Sequence, residues 1–465
     1  MSKRQYEDRI KNWKTKAISR RLENEYLKSR LKELEQSRDN WKKKYQKEKE
    51  GHRVTLLNGR KAKGHHYNLL IVMLVVELYK YGSMSLRSCR HTIMCLYLCL
   101  QIQGRIPCHN SIRNWLCKFG LYRIQTVSHS SNDYVLYVDE SINFGSEKIL
   151  LILGVRADSI PKNRSLCHSD MEVLGVDIGK EWKGAQVAER LRSATKGGEV
   201  QYVVSDEGNN LRKAYKQLNY RHIEDCTHIL ANHLKRLYSS DEDFEAFSKL
   251  IGKLRQKWKL SKSNSQYMPP SMRGKMRFAN IFPSVNWAEK MLRNWEDLPL
   301  DVQEQIQFLK SKKRFIIGLI QVEKIFKMVC KDLKTTGFGQ LQMKALSDKL
   351  EKVKTQECTI LNNVWQDLEP KAITFKGNVK AYLDNLETKR KELNEAFLLC
   401  SSDIIESYFG KFKTKINSNS RSGLTEFIFT IATFGKTFSI DEAQNALENI
   451  KCKELKLYQT ETKAA

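Results

Sequence analysis

Across residues 134–204 of this 465-residue chain the hydrophobic pattern changes period. On either side apolar residues recur at helical spacing. Here four apolar, β-branched runs follow one another: YVLYV (134–138), KILLILGV (148–155), MEVLGVDIG (171–179) and VQYVV (200–204). Runs of this length bounded by turn residues read as buried strands. Helical text fills 185–195, between the third and fourth runs, and 209–218, after the fourth. Three consecutive strands, then a helix and a further strand, predict a mixed sheet with helical cover. The chain must therefore build an α+β core around this segment.

Two of the runs end alike. YVLYVDES stops on Asp139, and VQYVVSDEGNNLRKA stops on Asp206 just before a predicted helix. One strand-end aspartate is an ordinary turn residue, bonding nearby backbone. Two in one sheet can lie side by side and hold a divalent cation. Mg²⁺ takes hard oxygen ligands, usually only one or two protein carboxylates, and keeps positions for phosphate and water. Two ions about 4 Å apart activate the attacking oxygen and stabilise the leaving one in phosphoryl transfer. A third acid is then needed from a helix crossing the sheet, and Glu406 in SDIIESYFGKFKTK is the candidate. Its amphipathic helix sets Ile405, Phe409 and Phe412 against Lys411, Lys413 and Lys415, cations that suit nucleic-acid phosphate. Two competitors exist. Asp177 ends the third run and competes with Asp139; Asp403 lies one turn before Glu406, where a helix-start cap is its ordinary explanation.

The charge balance fits a polyanionic partner. Lys and Arg number 81 against 53 Asp and Glu, a formal net charge of +28, which favours nucleic acid or an anionic surface. The longest apolar run, LLIVMLVV (69–76), is far short of the roughly 20 residues of a spanning helix, so no membrane association is expected. The chain opens MSKRQYEDRIKNWK, without an apolar signal segment, and its 11 cysteines lack paired spacing. Both features predict an intracellular protein with reduced thiols, acting at DNA in a bacterial cytoplasm or nucleoid or a eukaryotic nucleus. His91, Cys89, Cys95, Cys99, Cys108, His109 and Cys117 lack the close pairs of a zinc site and read better as core residues.

Organisation follows from these signals. Residues 1–50 carry a heptad seam: steps of three and four from Ile10 reach Trp13, Ala17, Leu27, Leu31, Leu34, Trp41 and Tyr45, interrupted by Arg20, Asn24 and Arg38. That predicts a coiled coil and a homodimer or higher homo-oligomer, with Asn24 at an a position fixing register; a helix packed on its own chain is the alternative. Residues 51–66 form a basic linker. Residues 67–127 fit a helix-turn-helix-like DNA-binding domain, in which Ser111, Arg113 and Asn114 face a groove while Ile112, Trp115 and Leu116 point inward. The first segment of the core covers 131–238. From 239 to 400 strand signals vanish and an all-α insertion is expected. Within it Trp287 is either a core residue or an aromatic wedge for a flipped base. Residues 401–465 complete the core and add C-terminal helices.

The sequence resembles the DDE transposases, with a ribonuclease-H-like catalytic core. The matching residues are Asp139 in YVDES, Asp206 in VVSDEGNN and Glu406 in DIIESYFGKFK; the gaps are 67 and 200 residues. The long second gap is similar to the subset, including hAT-like elements, whose core is split by a helical insertion. That subset carries a C/D-x-x-H signature after the second aspartate, and DCTHILANHLKRLY supplies Asp225 and His228 near the site. Roughly 65–450 is covered. No zinc-finger pattern of the kind many eukaryotic members carry precedes it. The resemblance implies a DNA transposase that binds element ends, cleaves phosphodiesters and joins 3′-OH ends to target DNA with two Mg²⁺ or Mn²⁺ ions. It implies double-stranded DNA, both element ends and target, as partner. A nuclease or resolvase on the same core, or a non-catalytic DNA-binding descendant, are the alternatives.

Overall fold

A computed structural model of the chain describes residues 3–50, 60–102, 104–127, 133–141, 147–161, 164–196, 198–261, 264–271, 281–353, 355–358, 364–416 and 424–456. They fall into two compact units, Met1–Arg113 and Asn114–Ala465.

The first unit opens with α1 (Lys3–Glu50). No glycine or proline interrupts this stretch, so nothing breaks the helical ladder. Every residue over 10–44 is exposed among the described residues. Residues 51–59 of the expected linker lie outside the described residues. Asn68 caps α2 (Leu69–Tyr81) by accepting the Leu70 N–H at 2.9 Å, and Ser85 caps α3 (Leu86–Cys99) by accepting from Ser88 at 3.1 Å. The two helices pack on each other.

α4 (His109–Thr126) starts in the first unit and belongs to the second from Asn114 on. Ile112, Trp115 and Leu116 are buried, as their spacing predicts. The helix is longer than the short one expected over CHNSIRNWLCKFG. Its later turns lie against a 3-10 helix (Glu426–Phe434) and the C-terminal segment. A Cβ at Gly120 would overlap the Phe429 carbonyl, so backbone approaches backbone there. Lys118 Nζ donates to the Leu447 carbonyl at 3.0 Å, and the Arg123 guanidinium stacks 3.6 Å over Phe438.

The second unit is built on a mixed α/β core with a five-stranded mixed sheet. β1 (Tyr134–Glu140), β2 (Lys148–Arg156), β3 (Glu172–Gly179), β4 (Val200–Ser205) and β5 (His222–Glu224) are ordered β3-β2-β1-β4-β5. β1 pairs antiparallel with β2, and β2 with β3. β1 and β4 are parallel, as are β4 and β5. The four predicted runs became the first four strands. β5, with only three residues, carried no run long enough to see. One face packs Leu136, Val138, Ile152 and Val203 against Leu191 of α5 (Gly184–Thr195) and Leu211 of α6 (Asn209–Leu218). On the other face, Tyr202 of β4 accepts the Leu399 N–H at 3.0 Å through its hydroxyl. α7 (Cys226–Tyr238) follows β5.

The insertion contains α8 (Glu242–Ser261), α9 (Phe282–Arg293), α10 (Leu300–Ile306), α11 (Phe308–Ser311), α12 (Lys313–Thr336), α13 (Gln340–Lys352) and α14 (Pro370–Glu392). The long α12 is central, packing against α7, α9, α13 and α14. An all-α insertion needs correction in two places. β6 (Phe338–Gly339) pairs with β9 (Phe397–Leu398), and β7 (Thr355–Cys358) pairs with β8 (Val364–Asp367). The first pair follows Gly337, at φ +69°, where a Cβ would sit 2.7 Å from the Leu398 oxygen. The second uses TQEC and VWQD, whose β-branched and aromatic residues suit a hairpin. After β9 the chain returns to the core as α15 (Asp403–Lys415), which packs on β1, and α16 (Ile440–Asn449) follows. Among the described residues no helix is long and apolar enough to cross a membrane.

Candidate functional site

The sheet register builds the site. Parallel pairing sets Tyr137 opposite Val204. Asp139 and Asp206 each lie two residues farther along and so emerge at the same edge, on neighbouring strands spaced about 5 Å. Both line an open cleft of about 520 Å³, shared with Glu140, Lys148, Lys180 and Gly208. Asp206 accepts the Gly208 N–H at 3.0 Å, an Asx turn that starts α6 and fixes its carboxylate.

Electrostatics ties the acids together. Burial at the strand end pushes the Asp139 carboxyl up to about 8, and the charges of Asp206 and then Glu406 add to it. The Glu140 N–H and His228 pull the other way without prevailing. At neutral pH Asp139 is therefore mostly protonated. Glu140 is itself raised by burial, against the pull of Lys148 3.4 Å away.

Glu406 comes from the first turn of α15. Its Oε1 lies 3.2 Å from His228 Nε2. That contact holds Glu406 below its usual range and, as the larger cause on its partner, raises His228 to about 9 despite burial. An imidazolium–carboxylate pair results. Asp225 performs the positioning. Buried at 1% exposure, it accepts the His228 N–H at 2.7 Å as the cap of α7, and the Ser402 N–H and Oγ–H at 2.6 and 3.0 Å. One carboxylate thus fixes the start of α7 and the approach to α15, the two helices that bring His228 and Glu406 together.

The competing acids are committed elsewhere. Asp177 is buried on β3, 3.6 Å from Arg190 of α5, and burial raises it to about 6 against that cation. Across β2 it aligns with Leu150, which faces Glu140 rather than Asp139. Asp403 binds Lys334 at 2.7 Å.

Other expected residues are not among those that line this cleft. Ser111, Arg113 and Asn114 are half-buried in the first turns of α4, with Ser111 Oγ 3.3 Å from Cys108 Sγ. Lys413 is exposed and acts on Glu406, whereas Lys411 lies 4.9 Å over the Phe434 ring and Lys415 is half-buried. The half-buried Trp287 donates its indole N–H to the Tyr267 carbonyl at 2.8 Å, anchoring the 3-10 turn Ser265–Tyr267. Of the suspected zinc residues, Cys89 and Cys117 are buried, as expected, but Cys95, Cys99 and Cys108 are exposed.

Sequence reasoning missed Glu140, Glu207 and Ser402. Each strand-end aspartate is followed by a glutamate, and that repeated Asp-Glu pair was the available signal. Glu207 accepts from Asn232 of α7 at 2.9 Å. Ser402 precedes α15 in a Ser-Ser-Asp run that reads as a helix start.

Hard oxygen donors at Asp139 and Asp206, on neighbouring strand ends, fit a Mg²⁺ or Mn²⁺ ion held by two carboxylates. A closed cage is a different matter: among the described residues no three His, Cys, Asp or Glu side chains are gathered closely enough to hold a metal. Glu406 is within electrostatic reach of Asp139 but turned to His228. No protein-family model matches the chain, and a search of curated proteins finds no significant match.

Proposed function

We propose that this protein is a metal-dependent enzyme of DNA phosphodiester chemistry: a DDE-type transposase on a ribonuclease-H-like core split by the insertion after β5. The observation that carries the reading is the β1/β4 register, which brings Asp139 and Asp206 to one sheet edge, with Glu406, 200 residues beyond Asp206, acting electrostatically on Asp139. The strand order and the net charge of +28 support it, as the combination expected of an acid cluster that works on a polyanion.

Asp139 and Asp206 would hold the ion, Asp139 giving up its proton as it binds. Glu406 would join as third ligand on leaving His228. A bound divalent ion would neutralise charge on the phosphate and acidify the attacking water or hydroxyl. Lys148 and Lys180 in the cleft, and Lys413 beside Glu406, would hold the DNA backbone against the acids.

The test is cleavage and joining of DNA that carries the ends flanking the gene, with Mg²⁺ or Mn²⁺ and with chelator. Asp139→Asn, Asp206→Asn and Glu406→Gln should each abolish cutting and joining while DNA binding is retained. Cut ends without joined product would replace the transposase with a nuclease or resolvase. Full activity in chelator, or in any of the three variants, would overturn the site. DNA binding without cleavage under any divalent ion would leave a non-catalytic DNA-binding protein.

A further inference from the structure

We propose that α1 pairs with α1 of a second copy of this chain as a parallel, in-register, two-stranded coiled coil in which Asn24 faces Asn24 across the axis. The surface is unusual for a chain of this kind. Every residue over 10–44 is exposed, yet Trp13, Leu27, Leu31, Leu34 and Trp41 fall on one heptad seam with Ile10. The seam from Ile10 to Tyr45 runs for about 54 Å at ~1.5 Å per residue. A lone helix with such a stripe gains little from propensity and is normally held by packing that stripe. Ile18, Leu22 and Tyr26 lie off the seam, four residues apart along a second, shorter stripe.

Charge in the central heptads suits a second copy, although the flanking Lys16 and Arg21 would repel. With Ile10 at a, the g and e positions of the central heptads are Glu23, Lys28, Arg30 and Glu35. In a parallel dimer g of one copy meets e of the next heptad of the other. Glu23 then faces Lys28, and Arg30 faces Glu35, each pair occurring twice by symmetry. Arg30 already reaches Glu33 in its own helix at 2.7 Å, so it is shared. An antiparallel pair would set e against e and g against g. Lys14, Arg21, Lys28 and Lys42 would then meet across one flank with only Glu35 to offset them. It would also put Asn24 opposite a d residue, with no matching amide. Asn at a favours two strands over three. The second copy is therefore a better fit than any acidic or apolar stranger. Parallel pairing brings the two Glu50 ends together, so both copies leave the rod at the same end.

Neither the pairing nor its test depends on whether the chain cuts DNA. The full-length chain is followed by sedimentation and by thiol cross-linking, with the wild-type chain and its native cysteines as baseline. Asn24→Cys should form an interchain disulfide under mild oxidation, and Ser29→Cys, at an outward f position, should not. Glu23→Lys should weaken the dimer about tenfold by replacing two attractions with repulsions. Adding Lys28→Glu should restore it, since the pair is then reversed. A monomeric wild-type chain at micromolar concentration would overturn the proposal. So would equal cross-linking at positions 24 and 29, or a Glu23→Lys dimer of undiminished affinity that Lys28→Glu does not affect.

Discussion

Replacing Asp139 by Asn should stabilise the metal-free protein at alkaline pH and leave it nearly unchanged in acid. The reason is the folded-state position of that carboxyl, about 8 instead of 3.8, caused first by burial and then by Asp206 and Glu406. A raised carboxylate binds its proton more tightly when folded. Its contribution is thus fully present in acid and is lost as pH rises from about 4 through about 8. Fully expressed, the displacement corresponds to about 6 kcal/mol. The strand end opens on the cleft, so solvent screening reduces this to about 2–3 kcal/mol. Asn carries no charge at any of these pH values and should remove the penalty. His228, raised to about 9 from 6.5, also loses stabilising charge as pH rises. It is present in both proteins, so the difference between them reports Asp139. The assay is thermal unfolding in chelator from pH 5 to 9. The variant should unfold about 5 °C higher than wild type at pH 9 and within a degree or so of it at pH 5. Excess Mg²⁺ should close the gap by stabilising wild type alone. Parallel curves for the two proteins across the whole range would refute the reasoning.

Asp225→Ala should cost about 3 kcal/mol in urea unfolding, because it strips the cap of α7 and leaves the Ser402 N–H without its acceptor; a loss below about 1 kcal/mol would mean that water replaces it freely. Gly120→Ala should destabilise by about 3 kcal/mol through the clash with the Phe429 carbonyl, and an unchanged melting temperature would show that α4 moves without cost. Asp177→Asn and Asp403→Ala should keep most DNA cleavage, since Arg190 and Lys334 account for both acids; inactivity of Asp177→Asn beside an active Asp139→Asn would reassign the site.

The strands that frame the cleft were legible because buried parallel and central strands need continuous β-branched runs, and 134–138 and 200–204 supply them. The strand-end acids could be read from the same text, since an apolar run that stops on a carboxylate marks the sheet edge. Glu406 was within reach because its helix has a distinct amphipathic pattern. What lay beyond local pattern were contacts across long sequence separations. Nothing near Gly120 announces Phe429, and nothing near Arg190 names Asp177 as its partner. The three residues of β5 are too few to show a period. The hairpin of β7 and β8 sits within helical text and draws its stability from pairing. The His228–Glu406 contact joins residues 178 apart and depends on Asp225 holding two helix starts at once. Trp287 shows the converse: a suggestive residue whose indole N–H is spent on an ordinary carbonyl.

The claim on which all of this turns is that the edge shared by β1 and β4 binds a divalent cation. Anomalous scattering from a crystal of the full chain soaked in Mn²⁺ tests it directly. The expected result is a peak between the carboxylates of Asp139 and Asp206, lost in Asp139→Asn, with Glu406 released from His228 toward the ion. A crystal at millimolar Mn²⁺ with no density at that edge, and with Glu406 still bonded to His228, would contradict it.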